Sequence, residues 1–278
     1  MTRIVHLSDT HFGTELPDVV TALQQAVAEL QPHIVLLTGD ITQRAHRGQF
    51  QAAKDFLDQL PVQTKLVIPG NHDIPLFNVF ARLLTPYAAY QRAFGNRESV
   101  WYGDGIGIIG FDTTCRLRHT RGALDTEHLT RRVRDARAKL GNEALLIACV
   151  HQPLYTAWPE DYANVLLNAE ATAQAFSALQ VDVVLSGHVH VPLMTTSRVA
   201  FPALDWDFLL VGAGTAVSHR TRPSAPNSFN VITANTAADG VRTLMLTRFD
   251  FDAGVGKFIA SAEMQGICQE GGWRLRAV

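Results

Sequence analysis

A chain of 278 residues, 47% hydrophobic and 18% charged, can bury about three quarters of its unfolded surface, which excludes a disordered or fibrous protein. A formal net charge of −2 and a pI near 6.6 give no global basic field, so neither nucleic acid nor a membrane is expected as a partner, although local basic loops are compatible with both values. Cys115, Cys149 and Cys268 are odd in number and widely spaced, which excludes a disulfide framework. With no apolar run near the length of a membrane span and no room for a signal peptide before Ile4, a cytoplasmic location is expected.

In chain order, short Val/Ile/Leu-rich runs predict strands at Ile4–Leu7, Ile34–Leu37, Leu66–Ile68, Ile106–Phe111, Leu145–Val150 and Val181–Leu185. Helix-period segments lie between them. Leu16–Leu30 carries an i, i+3, i+4 apolar stripe with Pro17 in its first turn, and Gln49–Leu60 and Asp125–Leu140 read the same way. Asn168 is placed to cap a helix running to Leu179. Strands separated by single helices make βαβ units and a mostly parallel sheet. From about Val199 the runs Phe208–Val211, Phe229–Thr233, Val241–Phe249 and Gly256–Ala260 are separated by Gly, Pro and Asn without helices. The expectation is one domain over 1–278. Its 1–195 part is βαβ-rich, and 196–278 forms a second, mostly antiparallel sheet packed on the first.

Polar residues of one kind follow the parallel strands: Asp9 and His11, Asp40, Asn71-His72-Asp73, His151, and His188 and His190. In open α/β sheets ligands bind beyond the carboxyl ends of strands, so these side chains are expected on one rim. Asp9, Asp40 and Asn71 follow each other at equal intervals of 31 residues, about one βαβ repeat. Asp9/His11 and His188/His190 are i, i+2 pairs, which in extended backbone point the same way. A glycine precedes Asp40, Asn71 and His188 and allows a sharp turn or a close backbone approach. Oxygen and imidazole ligands without thiolate favour divalent or trivalent Mn, Fe or Zn. Seven such ligands exceed one tetrahedral ion and suit two ions sharing a carboxylate.

Asp-x-His, Gly-Asp, Gly-Asn-His-Asp, His and Gly-His-x-His, in that order over residues 4 to 190, resemble the calcineurin-like metallophosphoesterase superfamily. Leu7 to Gly13 and Thr38 to Thr42 look most like its bacterial class III cyclic-nucleotide phosphodiesterase branch. The resemblance implies an α/β fold of two facing sheets flanked by helices, a four-layer αββα sandwich. It also implies that Asp9, His11, Asp40 and His190 hold one metal while bridging Asp40, Asn71, His151 and His188 hold the second. His72 would assist the leaving group, and Asn71, His72 and His188 would face a small phosphoester substrate.

The expected function is hydrolysis of a phosphodiester, a cyclic nucleotide or similar small diester, by a hydroxide bridging the two ions. Residues beside the metal motifs (Ser8, Thr10, Phe12, Ile41, Thr42, Gln152 and Val189) are mostly neutral, which suits a singly charged diester better than a dianionic monoester. The alternatives are a phosphomonoesterase or pyrophosphohydrolase with the same centre, a nuclease, and a scaffold without catalysis. A homo-oligomer is compatible with the sequence.

Outside the motifs, Asp73 is expected to orient His72 or cap a helix, and Asp112 and Gly103–Gly107 to form turns. Cys149, His6 and His33 read as structural, and the arginines at 131, 132, 134 and 137 as a solvated helix face. Three basic loops, around Arg44/Arg47, Arg116/Arg118 and Arg220/Arg222, could reach the rim.

Overall fold

The computed structural model describes residues 1–236 and 241–278, the side chain of Thr236 excepted. Its strands are β1 Thr2–Leu7, β2 Ile34–Thr38, β3 Thr64–Ile68, β4 Ser99–Gly103, β5 Ile106–Gly110, β6 Leu145–Cys149, β7 Val183–Ser186, β8 Leu193–Thr196, β9 Leu209–Gly212, β10 Ser228–Thr236, β11 Arg242–Asp252, β12 Lys257–Gln269 and β13 Gly272–Ala277. The helices are α1 Pro17–Leu30, α2 Arg47–Gln59, α3 Val79–Leu84, α4 Ala88–Phe94, α5 Thr126–Leu140 and α6 Ala169–Ala178. Each strand and helix expected in the first two thirds of the chain is found within a few residues of its expected bounds. Strands β4, β8 and β13 and the short helices α3 and α4 were not anticipated, because their apolar periods are brief.

Two sheets form. One has the order β13-β12-β11-β10-β1-β2-β3, the other β4-β5-β6-β7-β9-β8. Within them β1, β2 and β3 run parallel, as do β5, β6, β7 and β9. Period-2 alternation sorts side chains between layers. Ile4, Ile34, Leu36 and Ile68 meet Ile108, Ile147, Val183 and Leu209 in the core between the sheets. Val5, Leu7, Val35 and Leu37 face the other way, onto Val19, Leu23 and Val27 of α1 and Phe50 and Phe56 of α2. Ile109, Leu146, Ala148 and Val184 face Leu129, Val133 and Ala136 of α5 and Phe176 of α6. The architecture is the four-layer αββα sandwich, and it puts the carboxyl ends of both parallel strand groups at one end.

The division at residue 195 does not match the sheets. The strands after residue 227 extend the first sheet, β10 pairing antiparallel with the free edge of β1 (Val5 opposite Val231). The second sheet is instead built from residues 99–212. Local texture separates helical from hairpin-rich sequence, but edge choice is a long-range contact that no local pattern encodes. Asn168 does stand at the N-cap of α6, yet its side chain does not cap the helix. Its Oδ1 accepts from Leu124 N at 3.2 Å and its Nδ2 donates to Leu124 O at 2.7 Å, tying the two segments together.

Candidate metal centre

All eight polar residues expected to form the site converge at the carboxyl ends of the parallel strands. Asp9 Oδ1 lies 3.2 Å from His190 Nε2 and 3.7 Å from His11 Nε2, and the two imidazole nitrogens are 3.1 Å apart. Asp40 Oδ1 lies 3.2 Å from His151 Nε2, which is also 3.2 Å from Asn71 Oδ1 and 3.3 Å from His188 Nδ1. Asp40 Oδ2 reaches back to His11 Nε2 at 3.7 Å, so this one carboxylate spans both groups. Asp9, His11 and His190 can hold one ion, and Asp40, His151 and His188 a second. His72 also brings a ring nitrogen within 4.8 Å of ligand atoms of His11 and Asp40.

The i, i+2 pairs do not converge through extended backbone. Asp9 (φ 53°), His11 (44°), Asp40 (47°), His188 (73°) and His190 (59°) are all left-handed. They are half of the ten non-glycine residues with positive φ among those described, so unfavourable backbone is concentrated at this rim. Pairing beyond the strand ends holds these conformations: Asp9 N donates to Gly39 O at 3.0 Å and His11 N to Asp40 O at 2.9 Å. Gly70 and Gly187 serve close approach. A Cβ on Gly70 would sit 2.1 Å from Asp40 N, and one on Gly187 1.8 Å from Ser8 Oγ and 2.3 Å from Asp9 Oδ2.

Backbone groups also aim the side chains. His188 N donates to Asp9 Oδ2 and His72 N to Asp40 Oδ1, each at 2.8 Å. The Nδ1–H groups of His151, His190 and His72 donate to the carbonyls of Thr38 (2.8 Å), Arg220 (2.7 Å) and Gln43 (3.0 Å). A carbonyl can only accept, so in each neutral ring the Nε2 lone pair faces the centre, the arrangement metal-ligating histidines adopt.

Burial pushes the Asp9 and Asp40 carboxyls up, but the facing histidines outweigh it and hold both well below the usual carboxylate range. Burial pulls His188 down to about 3 and His11 well below its ordinary value. Burial also acts downward on His151, but the adjoining Asp40 carboxylate lifts it to about 9. Asp9 Oδ1 and His188 Nε2 are buried with no hydrogen-bond partner. Buried donor atoms left unpaired, an N/O donor set without thiolate, and two groups joined by one carboxylate fit a pair of divalent ions.

Asp73 closes the one-turn 3-10 helix Asn71–Asp73 on itself by accepting from the backbone of its N-cap, Gly70, and it also binds the preceding loop. Its carboxylate accepts from Ile41 N (3.1 Å), Thr42 N (2.9 Å) and Gly70 N (2.9 Å), locking the loops after β2 and β3 together; burial and the Asp40 charge push it up to about 7. The turn at Asp112 and the β4–β5 hairpin at Asp104-Gly105 are as expected. Cys149 is a buried thiol pushed up by burial; His6 Nε2 meets Thr38 Oγ1 at 3.0 Å and His33 Nδ1 accepts from Arg3 N at 3.0 Å. Arg132 and Arg137 are not merely solvated: Arg132 pairs with Glu98, and Arg137 donates to Ala144 O and Gln180 O. Of the three basic loops, the third places its arginines, Arg220 and Arg222, in the wall of the cavity over the candidate ligands, a space of about 380 Å³ that the second loop reaches only with Thr120 and that Asn164 also borders. Arg220 Nη1 lies 3.2 Å from His72 Nε2 and 3.0 Å from Gln43 Oε1. Arg222 is paired with Asp161. The position of Arg220 after the Gly-rich turn that ends parallel β9 was the available signal for it.

Fold and site together define a two-sheet sandwich with clusters of candidate metal ligands at its strand ends. Residues 2–192 match the calcineurin-like phosphoesterase model, and the chain belongs to that family. Curated protein sequences give no match. The structure resembles a purple acid phosphatase from yellow lupin (Lupinus luteus) seeds at 14% identity and TM-score 0.66, over 95% of this chain and 53% of that one. The chain thus spans about half the length of that relative. It also resembles a dimetal phosphatase from Danio rerio at 13% identity and TM-score 0.62, over 88% of this chain and 95% of that one. Similarity extends to vacuolar protein sorting 29 from Cryptosporidium parvum, at 13% identity and TM-score 0.50, over 100% and 98% of the respective chains. At these identities the likeness is one of fold.

Proposed function

We propose that the chain is a dinuclear metal-dependent phosphodiesterase acting on a small diester such as a cyclic nucleotide. The observation that carries this reading is Asp40, whose two oxygens face separate histidine groups while buried Asp9 Oδ1 and His188 Nε2 lack hydrogen-bond partners. Asp9, His11, Asp40 and His190 would hold one ion, and Asp40, Asn71, His151 and His188 the other. Bound there, the ions would supply Lewis acidity toward phosphoryl oxygens and a water acidic enough to attack near neutral pH.

The remaining work falls to the protein. Arg220 Nη1 is placed to donate to a phosphoryl oxygen, and His72, its Nδ1–H held by the Gln43 carbonyl, to deliver a proton from Nε2 of its imidazolium form to the departing alkoxide, returning to the neutral ring. Asp73 keeps the loops carrying Asp40 and His72 in register. Thr120 and Asn164 border the space for the remainder of the substrate.

The charge balance supports a diester. Arg222 is neutralised by Asp161, which leaves Arg220, among the described residues lining the cavity, as the fixed cation over the centre, whereas a monoester brings close to two negative charges at pH 7. The test is bis(p-nitrophenyl) phosphate against p-nitrophenyl phosphate with Mn-, Fe- or Zn-loaded enzyme. Higher kcat/KM is expected for the diester. A monoester preference of about tenfold would leave only the family-level activity standing.

A further inference from the structure

A second feature borders the cavity and is not used by the reaction. Phe77 (79% exposed), Phe80 (81%) and Leu84 (76%) on and before α3 project into solvent, and Leu117 (73%) does so from the neighbouring loop. Hydrogen bonds fix the two segments side by side: Arg82 Nη2 donates to Arg118 O at 2.6 Å, and Arg116 Nη1 to Leu83 O at 2.9 Å. The same loop continues through His119, whose ring is 6.2 Å from that of His72, to Thr120 in the wall of the catalytic cavity. Single exposed apolar residues are ordinary, but a contiguous group beside a cavity mouth marks a contact surface.

Its charge says what the contact is with. Residues 41–54, 74–97 and 113–124 contain no Asp or Glu, although acidic residues outnumber basic ones in the chain. Among the described residues, Arg97 on Asp112 is the one arginine of these segments that meets a carboxylate. Arg44 stacks over the Phe77 ring at 5.5 Å. Behind that ring, Arg44, Arg47 and Arg92 line a separate cavity of about 350 Å³ with no carboxylate in its walls.

We propose that this face docks on an anionic phospholipid surface, with Phe77, Phe80, Leu84 and Leu117 entering the headgroup region and the surrounding arginines meeting lipid phosphates. A second copy of the chain fits poorly, because a two-fold contact would set arginines against arginines with no acid to answer them. The near-zero net charge read from the sequence conceals this face, since compensating acids lie elsewhere. The proposal does not depend on the reaction catalysed.

The test is sedimentation of the full chain with vesicles of phosphatidylcholine alone and of equal parts phosphatidylcholine and phosphatidylglycerol, at low and high salt. Binding to the anionic vesicles alone, weakened by salt, is expected. Phe80→Ser with Leu84→Ser should lower partitioning by about tenfold or more, and Arg118→Glu by about fivefold or more. Both should leave Tm unchanged, since these side chains are exposed. Equal sedimentation with and without anionic vesicles would overturn the proposal. So would a concentration-dependent dimer that Phe80→Ser with Leu84→Ser dissociates, which would assign the face to a second copy.

Discussion

Asp40 and Asp182 are both buried carboxylates, set at opposite ends of the sandwich, and their surroundings differ in kind. Asp182, just before β7, receives Leu146 N (2.7 Å), Trp273 Nε1 (2.9 Å) and Arg242 Nη1 (3.0 Å), with Arg137 at 3.9 Å. These donors are permanent. Asp40, just after β2, faces histidines whose protonation can change, and neighbouring Asp9 Oδ1 meets only imidazole nitrogens, without a hydrogen-bond partner. The first arrangement is complete as a piece of structure. The second joins two groups of candidate ligands through one carboxylate, and its left-handed backbone is held by the pairing of loops beyond the strands.

The comparison can be broken by exchanging which property each aspartate controls. Asp40→Ala should abolish turnover and lower metal content towards zero in both groups while the fold persists; elemental analysis finding two ions per chain would refute the shared role. His72→Ala should keep both ions yet lose about 10²–10⁴ in kcat, and loss of one metal equivalent would make His72 a ligand instead.

Asp182→Ala should do the reverse. It leaves Arg137 and Arg242 without their buried counter-charge, at a cost of about 3–5 kcal/mol in urea unfolding, with metal content unchanged. Loss of metal in that variant would show the two ends to be coupled. Arg220→Ala should retain metal and lower kcat/KM about tenfold to hundredfold, because one charge-assisted hydrogen bond to phosphate is lost. An unchanged kcat/KM would remove Arg220 from the substrate site.

The smallest effect concerns pH. Burial pulls His6 from 6.5 down to about 3. Its unfolded form therefore takes up a proton at pH values where the folded form does not. The stability this contributes is present above about pH 6.5 and is lost as pH falls towards 3. Relative to the wild type, His6→Gln should flatten the decline between pH 6.5 and 5 by on the order of 1–2 kcal/mol. An identical decline in both proteins would contradict a neutral buried His6.

The cluster of candidate ligands was legible because its signal is local: Asp40, Asn71 and His188 follow the glycine after an apolar run, His151 follows its run directly, Asp9 and His190 stand two or a few residues further on, and parallel strands carry such positions to one edge. The helices α1, α2 and α5 were legible for a similar reason, their 3.6-residue stripes extending over three turns or more. Tertiary structure decided the rest. Sheet membership of β10 to β13 depends on the free edge of β1, more than 200 residues away in the chain. The convergence of Asp9 with His190 rests on left-handed backbone sustained by contacts with the next loop, where the sequence suggested extended strand. Which arginine reaches the centre was settled by partners: Asp161 takes Arg222, Arg44 lies over Phe77, and Arg220 is left beside His72. Composition reports the sum of charges, while the separation of an acid-free face from the remainder is a property of how the chain folds.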